Sequence, residues 1–265
     1  MKHAIKEWVH IKKRLQGRTI FLFLDFDGTL APIASTPAKA HLPSETKKML
    51  KQLHSVSMSN IKMIIMSGRD LEDIKRRVAI PGIIYAGNHG GQISGPGINW
   101  QHDFPATWKK KLQNLHAELS LAMKEIQGVV IEDKTISIAV HYRNIKNADM
   151  AGFQKALTEI SSPYIASLFI KASVGKKVVE LGLATTWNKG KAVNWLIRTI
   201  KLIGPIHACV PMFIGDDATD ETAFKVLRNK GITIHVGTGK QSAASYWLKS
   251  PSEVAVFLAN LSKLR

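Results

Sequence analysis

The segment Phe21-Leu-Phe-Leu24 runs straight into Asp25-Phe26-Asp27-Gly28-Thr29, so an apolar stretch ends in two aspartates spaced i, i+2. Few folds accommodate that transition. Residues 19–24 are apolar at nearly every position, as a strand covered on both faces must be, and such strands sit in the middle of parallel sheets. The strand would deliver Asp25 to the carboxyl edge of its sheet, where α/β proteins bind their ligands. A carboxylate brought there is costly unless it is paired or bound to a metal. Taken alone, Asp-x-Asp-Gly fits a strand followed by an Asx turn equally well. Its meaning rests on what the other strand tips carry.

Four more short apolar runs end in polar or glycine-rich residues. Ile61–Met66 precedes Ser67-Gly68-Arg69-Asp70, and Ile83–Ala86 precedes Gly87-Asn88-His89-Gly90. Val210–Ile214 leads into Gly215-Asp216-Asp217, and Ile232–Val236 into Gly237-Thr238-Gly239. Helical spacing lies between the early runs, with Thr46, Met49, Leu50 and Leu53 in one stretch and Leu71, Ile74 and Val78 in the next. Alternating strands and helices predict a parallel sheet with right-handed crossovers, which gathers all five polar tips at one edge. Ahead of the first strand, Ile5, Trp8, Val9 and Leu15 predict one face of an amphipathic helix.

The middle of the chain breaks this rhythm. Trp108, Leu112, Leu115, Leu119, Met123 and Ile126 follow helical spacing. Val129–Ile131 and Ile136–Tyr142 then read as a hairpin turning at Asp133-Lys134, with Ile136, Ile138, Val140 and Tyr142 alternating against Ser137, Ala139 and His141. A second helix over about 148–160 and two strands, Phe169–Ala172 and Val178–Leu181 with a turn at Gly175, complete an αββαββ pattern. Antiparallel hairpins are foreign to a parallel sheet. Residues 105–183 are therefore expected to form a second domain inserted into a first made of 1–104 and 184–265.

Composition narrows the functional classes. The chain has 265 residues, 45% of them hydrophobic, and no apolar run near the roughly 18 residues of a membrane-spanning helix. The apolar stretch at 20–24 is shorter than the roughly 7 residues of a minimal signal-peptide core and ends in Asp25, so no leader is expected. A single cysteine, Cys209, excludes an internal disulfide and points to a reducing cytoplasm. The net charge of +17 raises the question of nucleic acid. Its basic residues, however, are scattered in pairs and triples such as Lys12-Lys13-Arg14 and Lys109-Lys110-Lys111, with no long basic tract, zinc-finger spacing or RNA-stacking motif. They are expected on solvated helix faces, where their field attracts anions in general, phosphorylated metabolites included. No specific nucleic-acid partner and no membrane partner are expected, and a monomer is.

Phosphoryl transfer through a carboxylate needs a nucleophile, a proton carrier, a divalent cation and positive groups around the phosphate. The strand tips offer each. Asp25 is the candidate nucleophile and Asp27 the acid and base. Asp216 can hold Mg²⁺ with Asp25 and a backbone carbonyl, since Mg²⁺ takes oxygen ligands from a few carboxylates. Ser67 offers a hydroxyl and Lys189 an ammonium to the phosphate, while Asp217 and Asp220 would position Lys189 or the waters of the metal. Each signal also has a plain reading: a strand-to-helix turn at Ser67, a solvated lysine at 189, a capping aspartate at 216.

In their order, Asp25-x-Asp27-Gly-Thr29, Ser67, Lys189 and Gly215-Asp216-Asp217-x-Thr-Asp220-Glu221 resemble the four motifs of the haloacid dehalogenase superfamily of phosphatases. The resemblance covers the whole chain. It implies a Rossmann-like parallel-sheet core of the haloacid dehalogenase type with an inserted α/β cap. It also implies a metal on Asp25, Asp27 and Asp216 and a phosphate on Thr29, Ser67, Gly68 and Lys189. Within that superfamily, Gly-Asn88-His89-Gly, Glu132-Asp133-Lys134, His141-Tyr-Arg143, Gly175-Lys176-x-x-x-Glu180 and Trp187-x-Lys189-Gly-Lys resemble the trehalose-6-phosphate phosphatases. That likeness implies sugar contacts from Asn88, His89, Glu132, Arg143, Lys176 and Glu180. One departure is that Leu181-Gly182-Leu183 stands where the family often has an arginine–proline pair. Other sugar phosphatases of the superfamily, acting on sucrose phosphate or mannosylglycerate phosphate, share the core chemistry. A phospho-accepting signalling domain shares the tip residues, but Asp27 would shorten its phosphoaspartate, and an insert of about 80 residues exceeds an ordinary loop.

Overall fold

The computed structural model describes every residue except 57–59, 104, 135, 176, 185, 205, 207, 239, 240 and 265. Its elements run β1 (Lys2–His3), α1 (Trp8–Leu15), β2 (Thr19–Leu24), α2 (Ser44–Val56), β3 (Ile61–Met66), α3 (Leu71–Val78), β4 (Ile84–Gly87), β5 (Gln92–Gly95) and β6 (Ile98–Gln101). They continue with α4 (Ala106–Ala122), β7 (Val130–Asp133), β8 (Ser137–His141), α5 (Met150–Ala166), β9 (Ile170–Gly175) and β10 (Val178–Leu183). The last are α6 (Lys189–Ile203), β11 (Cys209–Gly215), α7 (Glu221–Leu227), β12 (Ile232–Val236), β13 (Tyr246–Leu248) and α8 (Pro251–Leu261). The chain divides into two compact units, one of residues 1–34, 38–101 and 187–265, the other of 35–37 and 102–186.

In the first unit the sheet order is β1-β13-β12-β11-β2-β3-β4-β5-β6, and every neighbouring pair from β1 to β4 is parallel. From β2 the chain builds outward through β3 and β4, then returns to lay β11 on the other side of β2. That reversal is the topological switch point at which open α/β sheets bind ligands. Period-two alternation sends the side chains of β2 into two cores. Ile20, Leu22 and Leu24 pack with residues of α1, α2 and α8, and Phe21 and Phe23 pack with α6 and α7.

The first helix departs from expectation. Residues 2–3 form β1, beside β13, and α1 begins at Trp8. At about 100° per residue, Ile11 and Leu15 then face the core while Val9 turns outward, and it is 75% exposed. The antiparallel pair β5 and β6, turning through Gly95-Pro96-Gly97, closes one edge of the sheet.

The second unit is a sheet of order β7-β8-β10-β9, antiparallel throughout. Leu112, Leu115 and Leu119 of α4 and Phe153 of α5 bury the face that carries Ile138, Val140 and Leu181. Ser137, Ala139 and His141 alternate to the opposite face, away from those helices.

Candidate active site

Every group of the site in the first unit leaves the carboxyl end of a strand or opens a helix beside one. Asp25 follows β2 and is anchored by its N–H, which donates to Ile214 O of β11 at 3.0 Å. Gly28 adopts φ +83°, and a Cβ there would lie 2.2 Å from Asp216 Oδ2. Glycine at 28 thus lets the loop after β2 meet the acidic tip of β11. Asp27 forms an isolated bridge with Ala31, whose bonds run from Gly28 N to Ala31 O and from Ala31 N to Phe26 O. The Asp27 carbonyl is not consumed by that bridge.

Lys189 opens α6, whose N-cap Asn188 accepts from Lys191 N. Just before it, Trp187 Nε1 donates to Gly90 O at 2.9 Å, tying the start of the helix to the turn after β4. Lys189 is 1% exposed, and its Nζ donates to Asp25 Oδ1 and Asp220 Oδ1, each at 2.7 Å. Asp220 Oδ2 accepts from the N–H groups of Asp216 and Asp217 at 3.0 and 3.1 Å, folding the loop after β11 over itself. Asp217 Oδ1 accepts from Thr219 N and Oγ1.

The electrostatics follow from this crowding. Burial pushes the Asp25 carboxyl up; Lys189 opposes it, Asp216 and Asp217 reinforce it, and the outcome is about 8. Burial alone would lower the Lys189 ammonium, but Asp220 and Asp25 outweigh it and hold it well above its ordinary value. Asp217 goes the other way, because Lys189 and the Thr219 hydrogen bond outweigh its burial and hold it below the usual carboxylate range. Carboxylate oxygens of Asp25, Asp216 and Asp220 lie within 4.8 Å of one another. When all three are ionised their charge exceeds that of the Lys189 ammonium, and an all-oxygen donor set suits a hard divalent cation.

The loop after β3 completes the arrangement. Ser67 is 1% exposed, and its hydroxyl accepts from Arg69 N at 3.1 Å, so its own proton remains to be donated. Asn88 N donates to Arg69 O and His89 N to Ser67 O, clamping this loop to the turn after β4. A Cβ at Gly68 would lie 2.6 Å from the His89 ring. Asn88 and His89 both hold positive φ, 51° and 55°. Thr29, in the loop after β2, is fully buried.

Two expected residues have side-chain partners within the first unit. The Asp27 carboxylate stands outside the acidic cluster, gripped by Arg69 through Nε to Oδ2 and Nη2 to Oδ1, both 2.7 Å. Asn88, expected on the sugar, is buried, and its amide donates to Gln92 Oε1 of β5 at 2.7 Å. Arg69 was missed altogether. It is buried, lies over the Phe26 ring at 5.6 Å, and also donates to Asp73. Its signal was its place two residues beyond Ser67 at a strand tip.

In the second unit Glu132 and Glu180 share one sheet face, with Ala139 paired to both. His141 Nε2 lies 3.0 Å from Glu132 Oε2, Ser137 Oγ donates to Glu180 Oε1 at 2.7 Å, and Lys134 Nζ is 3.7 Å from the same oxygen. Arg143 is exposed two residues past β8. Lys176 lies outside the described residues.

Comparison with known proteins bears on what this site is. The family model described as trehalose-phosphatase matches residues 23–252. A probable trehalose-phosphate phosphatase of Arabidopsis thaliana is 32% identical over 97% of this chain and 71% of its own length. A trehalose-phosphate phosphatase of Mycobacterium tuberculosis is 35% identical over 94% of this chain and 63% of its own, so this chain spans somewhat under two thirds of that relative. Two solved structures share the fold. The C-terminal domain of a Candida albicans trehalose-6-phosphate phosphatase has a TM-score of 0.81 at 22% identity, covering 100% of this chain and 99% of that one. A haloacid dehalogenase-like hydrolase from Bacteroides thetaiotaomicron has a TM-score of 0.60 at 15% identity, covering 92% and 99%. The core is therefore of the haloacid dehalogenase type, and this chain belongs to the trehalose-phosphatase family.

Proposed function

We propose that the chain hydrolyses trehalose 6-phosphate to trehalose and inorganic phosphate through an aspartyl-phosphate intermediate. The observation that carries this reading is Asp25, held 2.7 Å from the buried Lys189 ammonium at the switch point of the sheet. A carboxylate oxygen of Asp25 forms the new bond to phosphorus as the bond from phosphorus to the sugar oxygen breaks. Asp27 gives its proton to that departing oxygen, then takes one from the water that attacks phosphorus, and the bond to Asp25 breaks to release phosphate. Both Asp27 oxygens are engaged by Arg69, so each transfer requires one of those bonds to be exchanged for the reacting oxygen. Ser67 donates its proton to a phosphate oxygen, and Lys189 supplies positive charge beside the nucleophile. Asp25, Asp216 and the Asp27 carbonyl would hold Mg²⁺, which would supply positive charge against the phosphate oxygens and among the carboxylates.

The second unit supplies the sugar recognition. Its sheet face carrying Glu132 and Glu180 offers charged acceptors, and a pocket built to hydrogen-bond hydroxyls rejects substrates that leave such groups unpaired. His89 and Arg143, with Lys176, complete the proposed sugar contacts. Among the described residues no helix is long and apolar enough to cross a membrane, and the single Cys209 supports a cytoplasmic site of action. Purified protein with Mg²⁺ is expected to release phosphate from trehalose 6-phosphate far faster than from glucose 6-phosphate, sucrose 6-phosphate or mannosylglycerate phosphate. Equal rates on all four would overturn the substrate assignment and leave the phosphatase chemistry in place.

The crowded carboxylates also set a pH dependence for metal binding. Between its ordinary 3.8 and about 8, folded Asp25 retains a proton that the unfolded chain has released. Stability therefore falls as pH rises through that window. Asp73 and Asp217 act in the opposite sense, but their contributions are lost only as pH falls through the acidic carboxylate range. Mg²⁺ relieves the repulsion among ionised carboxylates, so the rise in Tm on adding it to EDTA-treated protein is expected to be larger at pH 8 than at pH 5. A rise independent of pH, or the same pH trend in Asp25→Asn, would contradict this account.

A further inference from the structure

We infer that strand β8 of the second unit positions both proposed sugar-reading carboxylates, through His141 for Glu132 and Ser137 for Glu180. This rests on the reading that Glu132 and Glu180 contact the sugar. β8 lies between β7 and β10, and the register aligns Glu132, Ala139, Glu180 and Ser173 in one cross-strand row. Two strand spacings separate the carboxylate positions by about 10 Å, with no side chain larger than the Ala139 methyl between them. Period-two alternation puts Ser137 and His141 on that same face, one residue pair to either side of Ala139.

Each polar residue of β8 reaches the carboxylate on a different neighbour. His141 Nε2 meets Glu132 Oε2 at 3.0 Å on β7, and Ser137 Oγ donates to Glu180 Oε1 at 2.7 Å on β10. Ser137 is 5% exposed, so its hydroxyl is committed to this contact rather than to solvent. A long, flexible carboxylate must lose rotamer freedom to hold a sugar hydroxyl. These two bonds remove part of that freedom beforehand. His141 and Ser137 are therefore positioning residues, acting on substrate affinity rather than on the phosphoryl chemistry of the first unit.

The test is steady-state kinetics of Ser137→Ala, His141→Ala, Glu132→Gln and Glu180→Gln on trehalose 6-phosphate and on p-nitrophenyl phosphate, which carries no sugar. Ser137→Ala and His141→Ala are each expected to raise KM for trehalose 6-phosphate about tenfold, as for loss of one hydrogen bond to a charged group. Their kcat and their kcat/KM on p-nitrophenyl phosphate should match the parent protein, and Ser137→Thr should restore KM. Adding Ser137→Ala to Glu180→Gln is expected to raise KM less than it does alone. If the Glu variants raise KM while the β8 variants do not, the positioning role is overturned and the sugar reading stands. If the Glu variants themselves leave KM unchanged, the sugar reading fails and takes this inference with it. Equal losses on both substrates would show a structural role for β8 and overturn the inference as well.

Discussion

Asp25→Asn is expected to lose turnover of trehalose 6-phosphate by at least about 10⁴-fold, the scale seen when a covalent nucleophile is removed. The amide keeps the shape of the side chain, and its oxygen can still accept from Lys189. What it lacks is a nucleophilic oxygen bearing charge. The fold should not suffer, because the parent carboxyl is pushed up to about 8 by burial, with Asp216 and Asp217 adding to the effect. Replacing it with a neutral group removes that strain. Without metal at pH 8, Asp25→Asn is therefore expected to melt at or above the temperature of the parent protein, and to gain less from added Mg²⁺. Phosphate release within tenfold of the parent rate would place the nucleophile elsewhere. A large drop in Tm would mean that Asp25 acts chiefly as a partner for Lys189.

Lys189→Met has a large effect of the opposite kind. The ammonium is 1% exposed and bonded at 2.7 Å to two carboxylates, one of them on Asp220, which is wholly buried. Methionine fills the space of the stem but leaves Asp25 and Asp220 buried without their cation. Breaking a buried pair from one side typically costs about 3–5 kcal/mol, and that loss is expected in urea unfolding of the metal-free protein. Activity should fall by about 10²–10³-fold, as for removal of one preorganised group that meets transition-state charge. Mg²⁺ should recover part of the stability, because it restores positive charge to the cluster, and less of the activity. A variant as stable as the parent without metal would show that the carboxylates protonate at no cost, and that the charge balance drawn around Lys189 is wrong.

Much of the architecture was legible because it depends on local patterns. Apolar runs covered on both faces become central parallel strands wherever they occur, and the Ile232–Val236 strand has the limits its composition indicates. The αββαββ order of residues 105–183 likewise followed from a change of period, since a strand of period two cannot bury its apolar side as a helix does. Helix onset was less legible. With Ile5 outside the helix, Ile11 and Leu15 define its buried face, and Val9, about 200° around from Ile11, turns to solvent.

For the site, the sequence by itself determined which residues stand at strand tips, since position along a strand is a local property. It placed Asp25 and Asp216 there because a polar residue after a buried strand has to emerge at the sheet edge, and Lys189 at a helix start. Partnership between side chains distant in sequence depends on strand order, register and rotamer, and only the tertiary structure decided it. That is why the grip of Arg69 on Asp27, the inward turn of Asn88, and the pairing of His141 and Ser137 with Glu132 and Glu180 came from the structure alone. Period and composition specify where a group is delivered; the energy of burying a charge specifies its partner, and that energy is set only when the strands are side by side.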